Sequence, residues 1–428
     1  MALTDPLILP CGARLKNRLA KAAMTEGLSD AANRATHRHQ TLYKKWAETG
    51  AGLLLTGNII VDRSHLERPG NVVLDGNVDE EGLLALSRFA ESAVKAGSDV
   101  WVQLSHAGRQ SPKSVASEPV GPSAVPLALP GGQFGRPRAL TDDEIEDIIQ
   151  KFAAAARTAK SAGFTGVQIH AAHGYLVSEF LNPLANQRND EWGGSLENRA
   201  RLLLRLVESV RTQVGSGYPV SVKLNSSDFQ KGGFSFDECL LVVELLNQAG
   251  VDLLEISGGN YEQPKMMGLD GLEPVFEESI ASSTRAREAY FIQYAEEVAK
   301  VANMPVMVTG GFRTRAAMED ALTSGACSIV GIGRPFCVAP EAIETFLKGE
   351  LDTLPSPEKS LSIGPGIFGR SSSLGIMKVI NGFGAMAYFY QNIFRLADGL
   401  EPDLTMPILP ALIRHQRHEL AAAKALIR

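Results

Sequence analysis

Cysteine is scarce in this chain: Cys11, Cys239, Cys327 and Cys337 are the only four, and none forms a CxxC pair. That argues against a disulfide framework and against an iron–sulfur or structural zinc site. Neither sign of charge dominates, with 42 Lys and Arg against 48 Asp and Glu and a formal net charge of -6. A nucleic-acid binder would present a basic face or stripe, so small molecules are the expected partners. The start, MALTDPLILPCGARLKNRL, has no basic stretch leading into a long apolar core. No secretory signal is therefore expected, and a cytoplasmic location is. One stretch, residues 376–394, approaches the length of a membrane span, but it carries Lys378, Asn381, Gln391 and Asn392. Those groups are costly in lipid, so a buried or partner-facing helix is expected and a membrane span is not. Apolar residues at 44% and charged residues at 21% are close to the globular average, which predicts a sizeable core.

What is present is a repeat. ETGAGLLLTGN, KAGSDVWVQLSHAG, SAGFTGVQIHAA, QAGVDLLEISGG and TSGACSIVGIGRP each carry a helix-like end at a glycine, then four to six residues rich in Val, Ile and Leu. Glycine suits the left-handed close of a helix, and the apolar run suits a strand buried on both faces. With RLAKAAM, PVSVKL and PVMVTG the count reaches eight strands separated by segments of helical length. The capping box Thr141-Asp-Asp-Glu144 opens a helix running to about Ala162. The pattern predicts a (β/α)8 TIM barrel over residues 1–350, with loop insertions and a helical C-terminal extension over 351–428. A doubly wound sheet competes, but no GxGxxG follows any of these strands.

Alternation along the strands places chemistry at one rim. Val100, Val102 and Leu104 oppose Trp101 and Gln103; Val167 and Ile169 oppose Gln168 and His170; Val220, Val222 and Leu224 oppose Ser221 and Lys223; Leu254 and Ile256 oppose Glu255 and Ser257. If the apolar faces meet the helices, the polar faces point into the barrel. Lys223 then needs a negative partner; Glu255 is one reading and a Schiff-base lysine the other. Strand seven ends in Gly310-Gly311-Phe312 and strand eight in Gly331-Ile332-Gly333-Arg334. Glycines let backbone N–H groups approach a phosphate and an arginine binds it with two donors, so a phosphorylated ligand is favoured over plain tight turns.

The stretch QIHAAHGYLVSEFLNP holds His170, His173 and Tyr175. The HxxH spacing could bind zinc with His106 as a third ligand, but no HExxH or carboxylate-rich motif accompanies it and no metal site is expected. Two imidazoles can instead donate to one carbonyl oxygen, and an ordinary tyrosine is a protonated acid at neutral pH. Such a site polarises and protonates, and lacks only a hydride source.

The run QIHAAHGYLVSEFLNPLANQRNDEWGGSLENRARLLL resembles the signature of the old yellow enzyme family of FMN-dependent oxidoreductases. LKNRLAKAAMTEGL, QLSHAGRQ, GPSAV, PRALTDDEIEDIIQKFAAAARTAKSAGFTGV and PVMVTGGFRTRAAMEDALTSGACSIVGIGRP extend the resemblance over about residues 5–345. It implies FMN as cofactor, NADH or NADPH as reductant and an activated alkene as substrate. Ala22, Ala23, Met24 and Thr25 match the segment that contacts the flavin ring, with Thr25 on its O4 and N5 edge. Gly57 and Asn58 match the strand-two contact, Gln103 the pyrimidine-side glutamine, and Lys223 the cation beside N1 and O2. Gly310, Gly311, Phe312, Gly333 and Arg334 fall in the phosphate-cradle segments. His170 and His173 match the pair that holds the substrate oxygen, and Tyr175 the proton donor.

Three features depart from the family pattern. Thr25 stands where some members carry a redox-tuning cysteine. The segment after strand six, SGGNYEQPKMMGLDGLEPVFEESIASSTRAREAY, is long, and its Tyr261, Met266 and Met267 are candidates for the substrate mouth. The aromatic run at 385–394 is expected to pack on the barrel or on a second copy in a homo-oligomer. A flavin-dependent dehydrogenase or demethylase, and a non-catalytic flavin-binding barrel, remain alternative readings.

Overall fold

In the computed structural model, residues 1–129, 132–259, 291–370 and 372–426 are described. Eight parallel strands close into a barrel: β1 Leu19–Lys21, β2 Leu53–Ile60, β3 Asp99–Ser105, β4 Gly166–Ala171, β5 Val220–Asn225, β6 Leu253–Ser257, β7 Val306–Thr309 and β8 Ile329–Ile332. Each pairs with the next, and β8 pairs with β1. The (β/α)8 architecture read from the repeat is therefore present, and the eight strands are those the repeat marked.

Around the barrel lie α1 His37–Ala47, α2 Glu80–Lys95, α3 Asp142–Ser161, the short α4 Leu176–Leu181, α5 Leu196–Val214, α6 Phe236–Gln248, α7 Ile292–Val301, α8 Arg315–Thr323, α9 Arg334–Val338 and α10 Pro340–Leu347. Local sequence starts several of them. The Thr141 hydroxyl accepts from the Glu144 N–H while Glu144 reaches back to the Thr141 N–H, and Ser235 with Glu238 does the same for α6. Each such box satisfies two of the donors a helix leaves unpaired at its start.

The strand alternation sorts into two cores. Val100, Val102, Leu104, Val167, Ile169, Val220, Val222, Leu224, Leu254 and Ile256 face outward and join the large cluster under the helices. Ala20, Leu53, Leu55, Trp101, Leu253, Met307 and Ile329 fill the barrel's lower interior, where Leu9 and Leu15 of a small N-terminal hairpin plug it from below. Full burial of one such Leu or Met stabilises by about 1.5–3 kcal/mol relative to exposure. The lower layers therefore carry stability, which leaves the layer above free to be polar.

The C-terminal segment adds α11 Gly375–Ala397 and α12 Ile408–Ala425, packed on one another. The inner face of α11, Ala387, Tyr388, Ile393 and Phe394, joins the main core cluster of the barrel. His415 of α12 is buried: its ring stacks on that of Tyr390 at 4.7 Å, and the Arg68 guanidinium lies over the same Tyr390 ring, 4.2 Å from its centre. Periodicity alone could not show that α12 folds back onto the loop after β2. Among the described residues no helix is long and apolar enough to cross a membrane.

Candidate active site

The strand ends converge on one mouth. Above the apolar plug, Gln103 Nε2 donates to Gln168 Oε1 at 2.7 Å, and Gln168 Nε2 donates to Glu255 Oε2 at 2.9 Å and to Ser221 Oγ at 3.2 Å. Glu255 also accepts from Thr309 Oγ1 at 2.6 Å and pairs with Lys223 Nζ at 3.1 Å. Both members of that ion pair are almost wholly buried, at 5% and 0% side-chain exposure. The register explains the contact, since Lys223 lies opposite Glu255 and also opposite His170. Of the two readings of Lys223, the partnered ammonium is the one the structure carries.

β4 delivers the two histidines and the tyrosine. His170 lies within the strand; His173 and Gly174 then take φ +64° and +76°, and Tyr175 caps α4. This turn brings the three rings together edge to face: His170 to His173 at 5.0 Å and 80°, His170 to Tyr175 at 4.9 Å and 78°. Burial, followed by the positive charge of Lys223, holds both imidazoles well below their ordinary range, so both are neutral near pH 7. His170 Nδ1 accepts from the Ala172 N–H at 3.2 Å. A neutral ring carries one proton, so that of His170 sits on Nε2 as a donor.

At the first two strands, β2 carries a register shift between Leu55 and Asn58 where it pairs with β3. Gly57 sits in the irregularity, its N–H bonded to Glu26 Oε1 at 2.9 Å, and a Cβ there would lie 2.4 Å from Thr25 Cα. Only glycine permits that approach. Thr25 Oγ1 donates to Glu67 Oε2 at 2.9 Å and accepts from the Asn58 N–H at 3.4 Å. Met24 Sδ lies 3.7 Å from Cys337 Sγ, and a Cβ on Gly333 would come within 3.2 Å of that same Met24 sulfur. The structure thus brings the Ala22–Thr25 segment beside Gly333.

At β7 and β8, Gly310 and Gly311 take φ +108° and +82°, and the Gly310 N–H bonds to Gly331 O at 3.2 Å. A Cβ on Gly310 would meet nothing within 4 Å, so open space lies in front of it. The Phe312 side chain is buried in the helix-side core, so a ligand here would meet its backbone. Sequence reasoning missed one neighbour of Arg334. Glu358, from the segment after α10, contacts Arg313 and lies 3.7 Å from Arg334 Nη1. Nothing local in the sequence ties position 358 to the barrel mouth.

His106 does not join His170 and His173. It groups with Asp62 and His65, whose ligand atoms lie within 4.8 Å of its own. His106 Nδ1 accepts from the Gly108 N–H at 3.0 Å, which puts the ring's proton on the nitrogen facing Asp62, and Lys151 Nζ already sits 2.9 Å from Asp62 Oδ2. That protonation and that ammonium both oppose a metal ion there. Tyr261, Met266 and Met267 lie outside the described residues.

The residues at this mouth suit a ligand with both hydrogen-bond donors and an anionic group: among the described residues Asn58 Oδ1 is buried without a partner, Lys223 is buried beside Glu255, and open space lies in front of Gly310. Residues 4–352 match the NADH:flavin oxidoreductase / NADH oxidase family. An "NADH-dependent flavin oxidoreductase iliE" of Hypocrea jecorina is 41% identical over 362 residues, covering 80% of this chain and 88% of the relative. Among solved structures, a 2-naphthoyl-CoA reductase in complex with 2-naphthoyl-CoA superposes with a TM-score of 0.72 at 27% identity. That alignment covers 81% of this chain and 52% of the other, so the chain spans about half of that protein. An old yellow enzyme homologue from Zymomonas mobilis gives 0.67 at 26% identity, covering 86% and 98%. The chain belongs to the NADH:flavin oxidoreductase family, of old yellow enzyme type. It is an NAD(P)H-dependent flavin oxidoreductase with FMN as cofactor.

Proposed function

We propose that the enzyme reduces alkenes activated by a conjugated carbonyl or nitro group. Ala22, Ala23, Met24, Thr25, Gly57, Asn58, Gln103, His170 and Lys223 would hold the flavin ring of FMN. The backbone of Gly310, Gly311 and Phe312, with Gly333 and Arg334, would hold its phosphate. When bound, FMN takes a hydride from the reduced nicotinamide and passes one to the substrate.

His170 and His173 bind the substrate's electron-withdrawing oxygen as neutral hydrogen-bond donors. The negative charge that grows on this oxygen as the β-carbon is reduced is what such donors stabilise, and in a buried site they act without reorganisation. Being neutral, they polarise the oxygen without adding a cation. Tyr175 gives its phenolic proton to the α-carbon, which completes addition of two hydrogens across the double bond. Lys223, fixed by Glu255, keeps positive charge at the barrel axis, where it favours an anionic state of whatever lies over it.

The observation that carries this reading is the edge-to-face grouping of His170, His173 and Tyr175 with both imidazoles neutral and His170 protonated on Nε2. A site built to dehydrogenate or demethylate an amine would need an acceptor of protons here, and His170 Nδ1 is already committed to the Ala172 N–H. The test is anaerobic consumption of NADH and NADPH with 2-cyclohexenone, N-ethylmaleimide and a dienoyl thioester, and, separately and without nicotinamide, bleaching of the bound flavin by a simple secondary amine. Turnover is expected with the conjugated acceptors; amine oxidation without alkene reduction would overturn the proposal.

A further inference from the structure

The second imidazole of the pair is held differently from the first. His170 is fixed by its own turn, through the Ala172 N–H. His173 Nε2 instead lies 2.7 Å from Ser257 Oγ, at the end of β6 and 84 positions away in the chain. Which atom owns the proton between them decides which nitrogen of His173 can serve a substrate.

Ser257 is 4% exposed, and the imidazole is the partner of its hydroxyl among the described residues. If His173 donated to Ser257, the buried serine would retain a hydroxyl hydrogen with no acceptor among those residues, a costly state. If Ser257 donates to His173, the hydroxyl is satisfied and Nε2 is unprotonated. We propose that Ser257 is a positioning residue that fixes His173 as the Nδ1–H tautomer, so that the pair grips its oxygen through His170 Nε2–H and His173 Nδ1–H.

The backbone around His173 supports a fixed ring. A non-glycine residue at φ +64° is strained and persists only when its surroundings over-determine it. The His173 N–H donates to Asn225 Oδ1 at 3.1 Å, and its carbonyl accepts from Gln110 Nε2 at 3.1 Å. The Asn225 amide is itself oriented, because its Nδ2 donates to Asp228 Oδ1 at 2.8 Å and to Gly259 O at 3.0 Å. The turn after β3 and the strands β5 and β6 thus each contribute one contact to a residue of the β4 turn. The backbone clamp sets where the ring stands, and Ser257 sets which nitrogen bears hydrogen.

This inference rests on the ene-reduction reading for its purpose, but its test does not. Holoenzyme labelled with 15N-histidine is examined by NMR, with His173→Gln used to assign the resonance. The wild type is expected to show His173 as Nδ1–H. In Ser257→Ala the proton should move toward Nε2. Affinity for a para-substituted phenolate, which presents one charged oxygen, and kcat/KM for 2-cyclohexenone should both fall about tenfold, the scale of one lost hydrogen bond. Ser257→Thr, which keeps the hydroxyl, should retain the wild-type tautomer and affinity. A wild-type His173 protonated on Nε2, or a tautomer unchanged in Ser257→Ala, would overturn the assignment. A tautomer that moves as expected in an enzyme that does not reduce 2-cyclohexenone would support it and retire the ene-reduction reading.

Discussion

Tyr175→Phe should cut turnover of 2-cyclohexenone by about 10²–10⁴-fold, the usual worth of a positioned general acid, while the rate at which NADH bleaches the bound flavin stays near that of the wild type. The phenol is needed only where a carbon is protonated. Its ring packs edge to face on His170 at 4.9 Å, and phenylalanine preserves that contact, so the pocket should keep its shape. Stopped-flow measurement of the two half-reactions separates them. Equal loss in both would show that the hydroxyl does not act in the protonation step alone, and would contradict the assigned role.

Lys223→Met should destabilise the protein by about 3–5 kcal/mol, because it leaves Glu255 as a buried charge without its counter-ion. Gln168 and Thr309 still donate to Glu255, but neither is a cation. The double variant Lys223→Met with Glu255→Gln should recover part of the loss, since an amide can accept from Gln168 through its oxygen and donate to the Thr309 hydroxyl through its nitrogen, with no charge to neutralise. Urea unfolding of the apoproteins reads this directly and keeps flavin affinity out of the comparison. A single variant no less stable than the double would contradict the pairing. The flavin should also dissociate more readily from reconstituted Lys223→Met, since the cation at the barrel axis is gone.

The barrel was legible because its determinants are local. Four strands alternate apolar and polar side chains, and the outward set, from Val100 to Ile256, lies under the helices as alternation requires. The inward set splits by height in a way composition could not show: Trp101 and Leu253 fill the plug, while Gln103 and Glu255, two residues further on, form the polar layer. His170, His173 and Tyr175 were legible for a related reason, because six consecutive residues at one strand end carry all three.

What stayed hidden depends on closure. Ser257 beside His173, Asn225 holding the His173 N–H, and Glu358 between Arg313 and Arg334 are separated by 84, 52, 45 and 24 positions, and only the folded barrel juxtaposes them. Phe312 reads as part of a glycine-rich ligand loop, yet its bulk is used in the core. His106 carries the right residue type for the pair and the wrong place; it follows β3, among Asp62, His65 and Lys151. Residue type and spacing reveal the chemistry available, whereas strand order decides which of it meets.

The most direct measurement is a crystal structure of the FMN-loaded enzyme with a para-substituted phenolate. The account predicts the phenolate oxygen within hydrogen-bond reach of both His170 Nε2 and His173 Nδ1, and the flavin ring beneath it beside Lys223. An oxygen bound by neither imidazole, or a flavin seated away from Lys223 and Arg334, would contradict it.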